Sequence, residues 1–172
     1  MQEPEVNQAL CTAMLRALVL RIQSGSDARH NGIAEVTWDK VAQHEYVVAL
    51  QDHFFSVLLK PTKLISPKNA APVEFFLADA ITSYLFQHWH TLYSPSCSKQ
   101  NAGHKYVFPK INQHGEFDFQ QPFSYDNHKE ACMACAQTCG IPVSEQLQKT
   151  MGTNAVRRGN AATLGVQIRG EA

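Results

Sequence analysis

His128, Cys132, Cys135 and Cys139 stand at i, i+4, i+7 and i+11, a spacing that puts one imidazole and three thiols on a single helix face. Both groups are zinc ligands, but a closed tetrahedral site draws its ligands from at least two chain segments. Four ligands spread along about 16 Å of one helix cannot surround one ion. Cysteine is also small and readily buried, so the spacing predicts a helix face pressed on a core, with a metal or redox site only if folding adds a partner such as Cys97. His88 and His90 are two residues apart and face different sides of a helix, and Trp89 between them is expected in the core. Lys99, His104, Lys105 and Lys110 form a diffuse basic stretch suited either to phosphate contact or to solvent. Two arginine sites complete the inventory. Arg29 follows a turn of small residues, and Arg157-Arg158 sit among small residues near the end of the sequence.

The elements that must position these groups follow from hydrophobic periodicity. Leu10, Met14, Ala17, Leu18 and Ile22 recur at helical spacing over residues 5–23, and residues 28–38 repeat it with Ile33 and Val36, Asp27 serving as N-cap. The period then changes. Residues 46–50, 54–59 and 73–76 are rich in β-branched and aromatic side chains and predict three short antiparallel strands, the second and third joined by a polar 13-residue connection, 60–72. Leu77, Ile81, Tyr84, Leu85, His88 and Leu92 mark one face of the next helix. Residues 95–105 are expected to form a solvent-facing loop, and residues 106–109 a short apolar segment before a turn at His114-Gly115. A helix is predicted over 126–138, with Gly140 and Pro142 stopping it. A short one follows from Ser144 and a last one from Thr153.

The 172 residues, 44% of them hydrophobic and 17% charged, suit one α+β, mainly α, domain and exclude collagen, coiled coil and acidic tail. Fifteen basic residues balance fifteen acidic ones, so no global field attracts polyanions. The balance hides a mild asymmetry: 4 basic and 7 acidic side chains up to residue 59, 11 and 8 after it. The acidic start is the opposite of a secretory leader, no run approaches the roughly 18 apolar residues of a membrane span, and the five cysteines do not form a secreted disulfide pattern. An intracellular protein without membrane contact is expected.

In this order, the arginine sites and the lysine-bearing hairpin between them resemble the catalytic domain of the tyrosine recombinases, the phage-integrase family. The family's first box, an arginine after a tight turn followed by an apolar helix and a Trp-Asp pair, is matched by Arg29, Ile33, Val36, Thr37, Trp38 and Asp39. Its hairpin lysine, commonly in a Thr-Lys context, is matched by Thr62-Lys63, with Lys60 and Lys68 as substitutes. Its second box, His-x-x-Arg before a small-residue helix, is matched by Asn154-Ala-Val-Arg157-Arg158-Gly-Asn-Ala-Ala-Thr163. The likeness spans residues 10–164.

The resemblance implies a helical catalytic core with a small three-stranded antiparallel sheet, acting on double-stranded DNA in recombination or integration of mobile elements. It implies self-association on DNA, localisation with DNA (nucleus or nucleoid), and neither cofactor nor metal. Transesterification at a phosphodiester builds charge on the non-bridging oxygens, which the guanidinium forks of Arg29 and Arg157 would stabilise. Lys63 would protonate the leaving 5′-oxygen as general acid. Asn154 and Arg158 would bind DNA phosphate. The sequence departs from the pattern twice. Asn154 replaces histidine, and an amide donates a hydrogen bond but moves no proton near neutral pH. The family's nucleophilic tyrosine follows the second box, whereas Tyr46, Tyr84, Tyr93, Tyr106 and Tyr125 all precede Arg157. The expectation is a partial catalytic domain truncated before its nucleophile, lacking the family's core-binding domain and inactive alone. The alternatives are a non-catalytic DNA-binding remnant or regulatory module, and a metal- or redox-linked interaction protein using Cys132, Cys135 and Cys139.

Overall fold

Asn7 opens the first helix as its cap, its side-chain oxygen accepting the Leu10 N–H at 3.2 Å, which satisfies one of the orphan donors of a helix start. The helix that follows, α1 (Gln8–Ser26), buries Cys11, Leu15, Leu18, Val19 and Ile22. Each of the leucine, valine and isoleucine side chains contributes about 1.5–3 kcal/mol when fully withdrawn from water. Leu10, counted in the apolar stripe by sequence, is 67% exposed because the buried face is turned toward Cys11 and Leu15. The computed structural model describes residues 7–26, 30–45, 53–59, 73–76 and 80–145.

The second helical stretch is shorter than its pattern predicts. Helix α2 covers His30–Ala34, burying Ile33 and Ala34, and a 3-10 turn, Trp38–Lys40, follows after Val36. The break at Val36 and Thr37 has a physical reason. The Val36 carbonyl accepts the Val107 N–H at 3.0 Å, the Trp38 N–H donates to the Lys105 carbonyl at 3.2 Å, and Thr37 bridges Tyr106 antiparallel. These backbone groups bond a distant segment in place of a helix ladder.

Strand β1 (Val41–Glu45) pairs antiparallel with β2 (His53–Leu59), which pairs antiparallel with β3 (Val73–Phe76). The registers align Val41 with Val57 and Val57 with Phe75. The first strand thus precedes the segment chosen from sequence, and residues 46–50 lie outside the described residues.

Helix α3 (Ala80–Tyr93) buries Thr82, Ser83, Phe86 and Trp89. Ile81 and Tyr84 on the predicted face are 59% exposed, so the helix is rotated from the orientation its hydrophobicity suggests. The rotation brings Thr82 against α1, where its hydroxyl accepts from Arg21 Nε at 2.8 Å. Trp89 is fully buried as expected, and its indole N–H donates to the Val107 carbonyl at 2.8 Å, the partner a buried tryptophan requires.

The segment read as a solvent-facing loop is anchored. Buried Asn101 donates to the carbonyls of Leu92 (2.8 Å) and Ser94 (3.2 Å), and a short 3-10 turn forms at Lys99–Asn101. After it, β4 (Pro109–Ile111) and β5 (Phe117–Pro122) form a second antiparallel pair. Their turn is closed by Asn112, whose side chain accepts from His114 N and Glu116 N, with Gly115 at φ 80°; positive φ is where glycine is unstrained. Phe117 and Phe119 of β5 join Trp89 and Tyr93 in one aromatic cluster with centroid separations of 4.3–6.4 Å.

Helix α4 (Tyr125–Thr138) begins in a capping box of Ser124 and Asn127. Asn127 also exchanges two hydrogen bonds of 2.9 Å with the Ile111 backbone, fixing the helix start to β4. The far end closes as the sequence predicts. Gly140 at φ 71° lets its N–H reach the Gln137 carbonyl and that of Ile141 reach Ala136, a Schellman arrangement. The whole is α+β and mainly helical, with α1 packed on α2, α3 and α4. Among the described residues, no helix is long and apolar enough to cross a membrane.

Candidate functional site

Arg29 lies outside the described residues, immediately before the first residue of α2. Lys63 likewise lies outside them, in the 60–72 connection between β2 and β3, as do Lys60 and Lys68. Asn154, Arg157 and Arg158 fall beyond residue 145, also outside. Of the first-box match, Ile33 and Val36 are buried in the main core, Trp38 packs partly buried against it, and Asp39 is exposed in the 3-10 turn.

The residue next to Arg29 is firmly held. His30 is buried among Phe123, Tyr125 and His128, with ring centroids at 6.4, 6.4 and 5.0 Å. Burial lowers its pKa, against smaller opposing effects of a hydrogen bond to the Phe123 backbone and the Glu35 carboxylate. His128 is fully buried, and neither of its ring nitrogens meets a hydrogen-bond partner among the described residues. Burial, reinforced by His30, pushes its pKa down to about 4. Both rings are therefore neutral at pH 7. Cys132, one turn on, is buried as well, and burial raises its thiol to about 11.

Along the stripe that begins at His128, only this first turn enters the core; Cys135 and Cys139 are exposed. Burial and the neighbouring Cys139 raise the Cys135 pKa. Among the described residues, no three His, Cys, Asp or Glu side chains are grouped as a metal ion would require.

A second locus is an open cleft of about 700 Å³ where the 3-10 turn after α2 meets the end of α3 and the loop before β4; its walls include Trp38, Lys40, His90, Ser96, His104 and Lys105. Trp38 and His90 meet edge to face at 5.7 Å. His90 is partly buried and its pKa is lowered by that burial. Its Nδ1 lies 3.7 Å from the Sγ of exposed Cys97. Lys105 lies 5.0 Å above the Tyr106 ring, and His104 stacks on Phe119 at 3.7 Å.

Sequence reasoning treated His104 and Lys105 as part of a diffuse basic stretch and Cys97 as a partner for the helical cysteines. It missed their grouping with Lys40 and His90. The only local signal was the seven-residue separation of His90 and Cys97 across a helix end, which by itself fixes no distance. No family model and no curated protein matches this chain.

Proposed function

We propose that the chain is a double-stranded-DNA-binding domain of tyrosine-recombinase type, with Arg29 and Arg157 holding one backbone phosphate. Asn154 and Arg158 add phosphate contacts, and Lys63 approaches the same phosphodiester from its hairpin. The observation that carries the reading is the place of Lys63 in the connection between two strands paired antiparallel, the context the resemblance requires. It is supported by the position of Arg29 at the threshold of α2, whose Ile33, with Val36 just beyond, is buried in the core, and by the succession of helix, arginine, short helix, antiparallel strands and helix.

On this reading the fold is a recombinase-type helical core with the three strands β1–β3 as its sheet, serving DNA recombination and integration, with self-association on DNA and residence wherever the DNA is. The two guanidinium groups neutralise phosphate charge and fix the phosphodiester by paired hydrogen bonds. Lys63 supplies the proton for a leaving oxygen. The five tyrosines all precede Arg157, so the residues named here supply phosphate binding, charge stabilisation and the leaving-group proton, and none of them is assigned the nucleophile's role. Asn154 favours a second reading, a DNA-binding module without strand cleavage, because its amide donates to phosphate but cannot shuttle a proton.

Fluorescence anisotropy with a labelled DNA duplex tests the proposal. Binding is expected to weaken steeply as salt rises, and Arg29→Ala combined with Arg157→Ala should reduce affinity by about tenfold or more. Binding unchanged by the double substitution would remove the site.

A further inference from the structure

We propose that Cys97 is a thiol-modification site, with His90 as its base, and that the lysine-lined cleft beside it selects small disulfides carrying carboxylates. Three observations meet here. Cys97 is exposed, whereas Cys11 and Cys132 are buried. His90 Nδ1 lies 3.7 Å from its sulfur, within reach for accepting the thiol proton. The same imidazole forms part of the cleft wall, together with Lys40 and Lys105.

A reactive thiol needs a group to take its proton and room for the partner molecule. The neutral His90 ring supplies the first, in the tautomer that carries its hydrogen on Nε2. Burial keeps the ring neutral at rest, so the imidazolium formed on proton transfer is short-lived and returns its proton to the departing thiolate. Trp38, edge-on at 5.7 Å, packs against the ring that receives the proton. The cleft, at about 700 Å³, supplies the room. Two lysines and one carboxylate, Asp39, line its walls, an excess of positive charge that favours an anionic visitor. Cys135 and Cys139 are also exposed but interact with each other, and burial with this neighbour raises the Cys135 pKa.

The reaction is thiol–disulfide exchange. The Cys97 proton passes to His90 Nδ1, and the thiolate attacks one sulfur of the disulfide. A new S–S bond forms as the old one breaks, and the departing thiolate takes the proton from His90. One thiol and one disulfide become a mixed disulfide and a new thiol, so the disulfide itself is the oxidant. The inference stands apart from the DNA reading, since it uses none of its residues.

The test is a time course of the reduced full chain with glutathione disulfide, followed by peptide mapping in a mass spectrometer. Cys97 should gain the adduct about fivefold or more faster than Cys135 and Cys139. His90→Gln should bring Cys97 down to the level of the other two while leaving theirs unchanged. Lys40→Gln with Lys105→Gln should slow modification by glutathione disulfide and spare that by uncharged hydroxyethyl disulfide. Cys97 reacting no faster than Cys135 and Cys139 overturns the proposal, and this wild-type comparison needs no variant to fold. An unchanged Cys97 rate in His90→Gln overturns the role of the base, and equal effects of the lysine substitutions on both disulfides overturn the selectivity.

Discussion

The rings of His30 and His128 stand edge to face, centroids 5.0 Å apart, and join α2 to α4. Two buried imidazoles at this distance cannot both carry charge without strong repulsion, and desolvation already disfavours the first charge. His128 is pushed down to about 4 from 6.5, chiefly by burial, and His30 is lowered for the same reason. Both folded-state values lie below those of the unfolded chain, so unfolding takes up protons on acidification. Stability should be full above about pH 6.5 and decline as the pH falls toward about 4, by on the order of 1–3 kcal/mol. Urea midpoints at pH 7, 6, 5 and 4.5 check this. His128→Leu, which replaces ring nitrogens lacking described partners with an apolar side chain, should be neutral or stabilising at pH 7 and should flatten the acid decline. A steep loss of stability at pH 7 in that variant would contradict the arrangement.

Asn127 ties three backbone groups together: it accepts from and donates to Ile111 at 2.9 Å and caps α4 with Ser124. Asn127→Ala should destabilise by about 2–4 kcal/mol, since it removes a cap contact and strands a buried N–H and C=O. Asn127→Asp keeps the acceptor and loses the donor, so its denaturation midpoint should fall between those of wild type and the alanine variant.

The orientation of α3 gives a paired prediction. Ile81→Gln and Tyr84→Gln, on the exposed face, should each change stability by less than about 1 kcal/mol. Phe86→Ala, on the buried face, should cost about 3–5 kcal/mol. Thermal or urea unfolding of the three variants distinguishes this orientation from the one hydrophobicity alone suggests.

That contrast shows what the sequence could reveal. Periodicity found α1, α3 and α4, and the Gly140-Ile141-Pro142 stop gave the end of α4 to the residue. The inward face of α3 was hidden because Thr82 and Ser83 are small and polar; they let α1 approach, and Arg21 satisfies the Thr82 hydroxyl, whereas a hydrophobicity count favours Ile81 and Tyr84. The pair β4 and β5 was half legible. The turn at His114-Gly115 was visible, but the alternation of Phe117 and Phe119 is diluted by Asp118, Gln120 and Gln121. Asn101 looked like loop composition until its two carbonyl partners were in place. The DNA-binding reading rests on short patterns around Arg29, Lys63 and Arg157, which name residue types but carry no distances. The cleft could not be read at all, because Lys40 and Lys105 come to line it through the backbone pairing of residues 36–38 with 105–107, which no local pattern announces.

The central claim is that Arg29 and Arg157 grip the same phosphate, and a double-mutant cycle on duplex-DNA affinity tests it most directly. Arg29→Ala and Arg157→Ala should each weaken binding by about tenfold. If both hold one phosphate, the double variant should lose measurably less than the two single losses combined, with a coupling of about 1 kcal/mol. Strictly additive losses, or no loss from either substitution, would contradict the account.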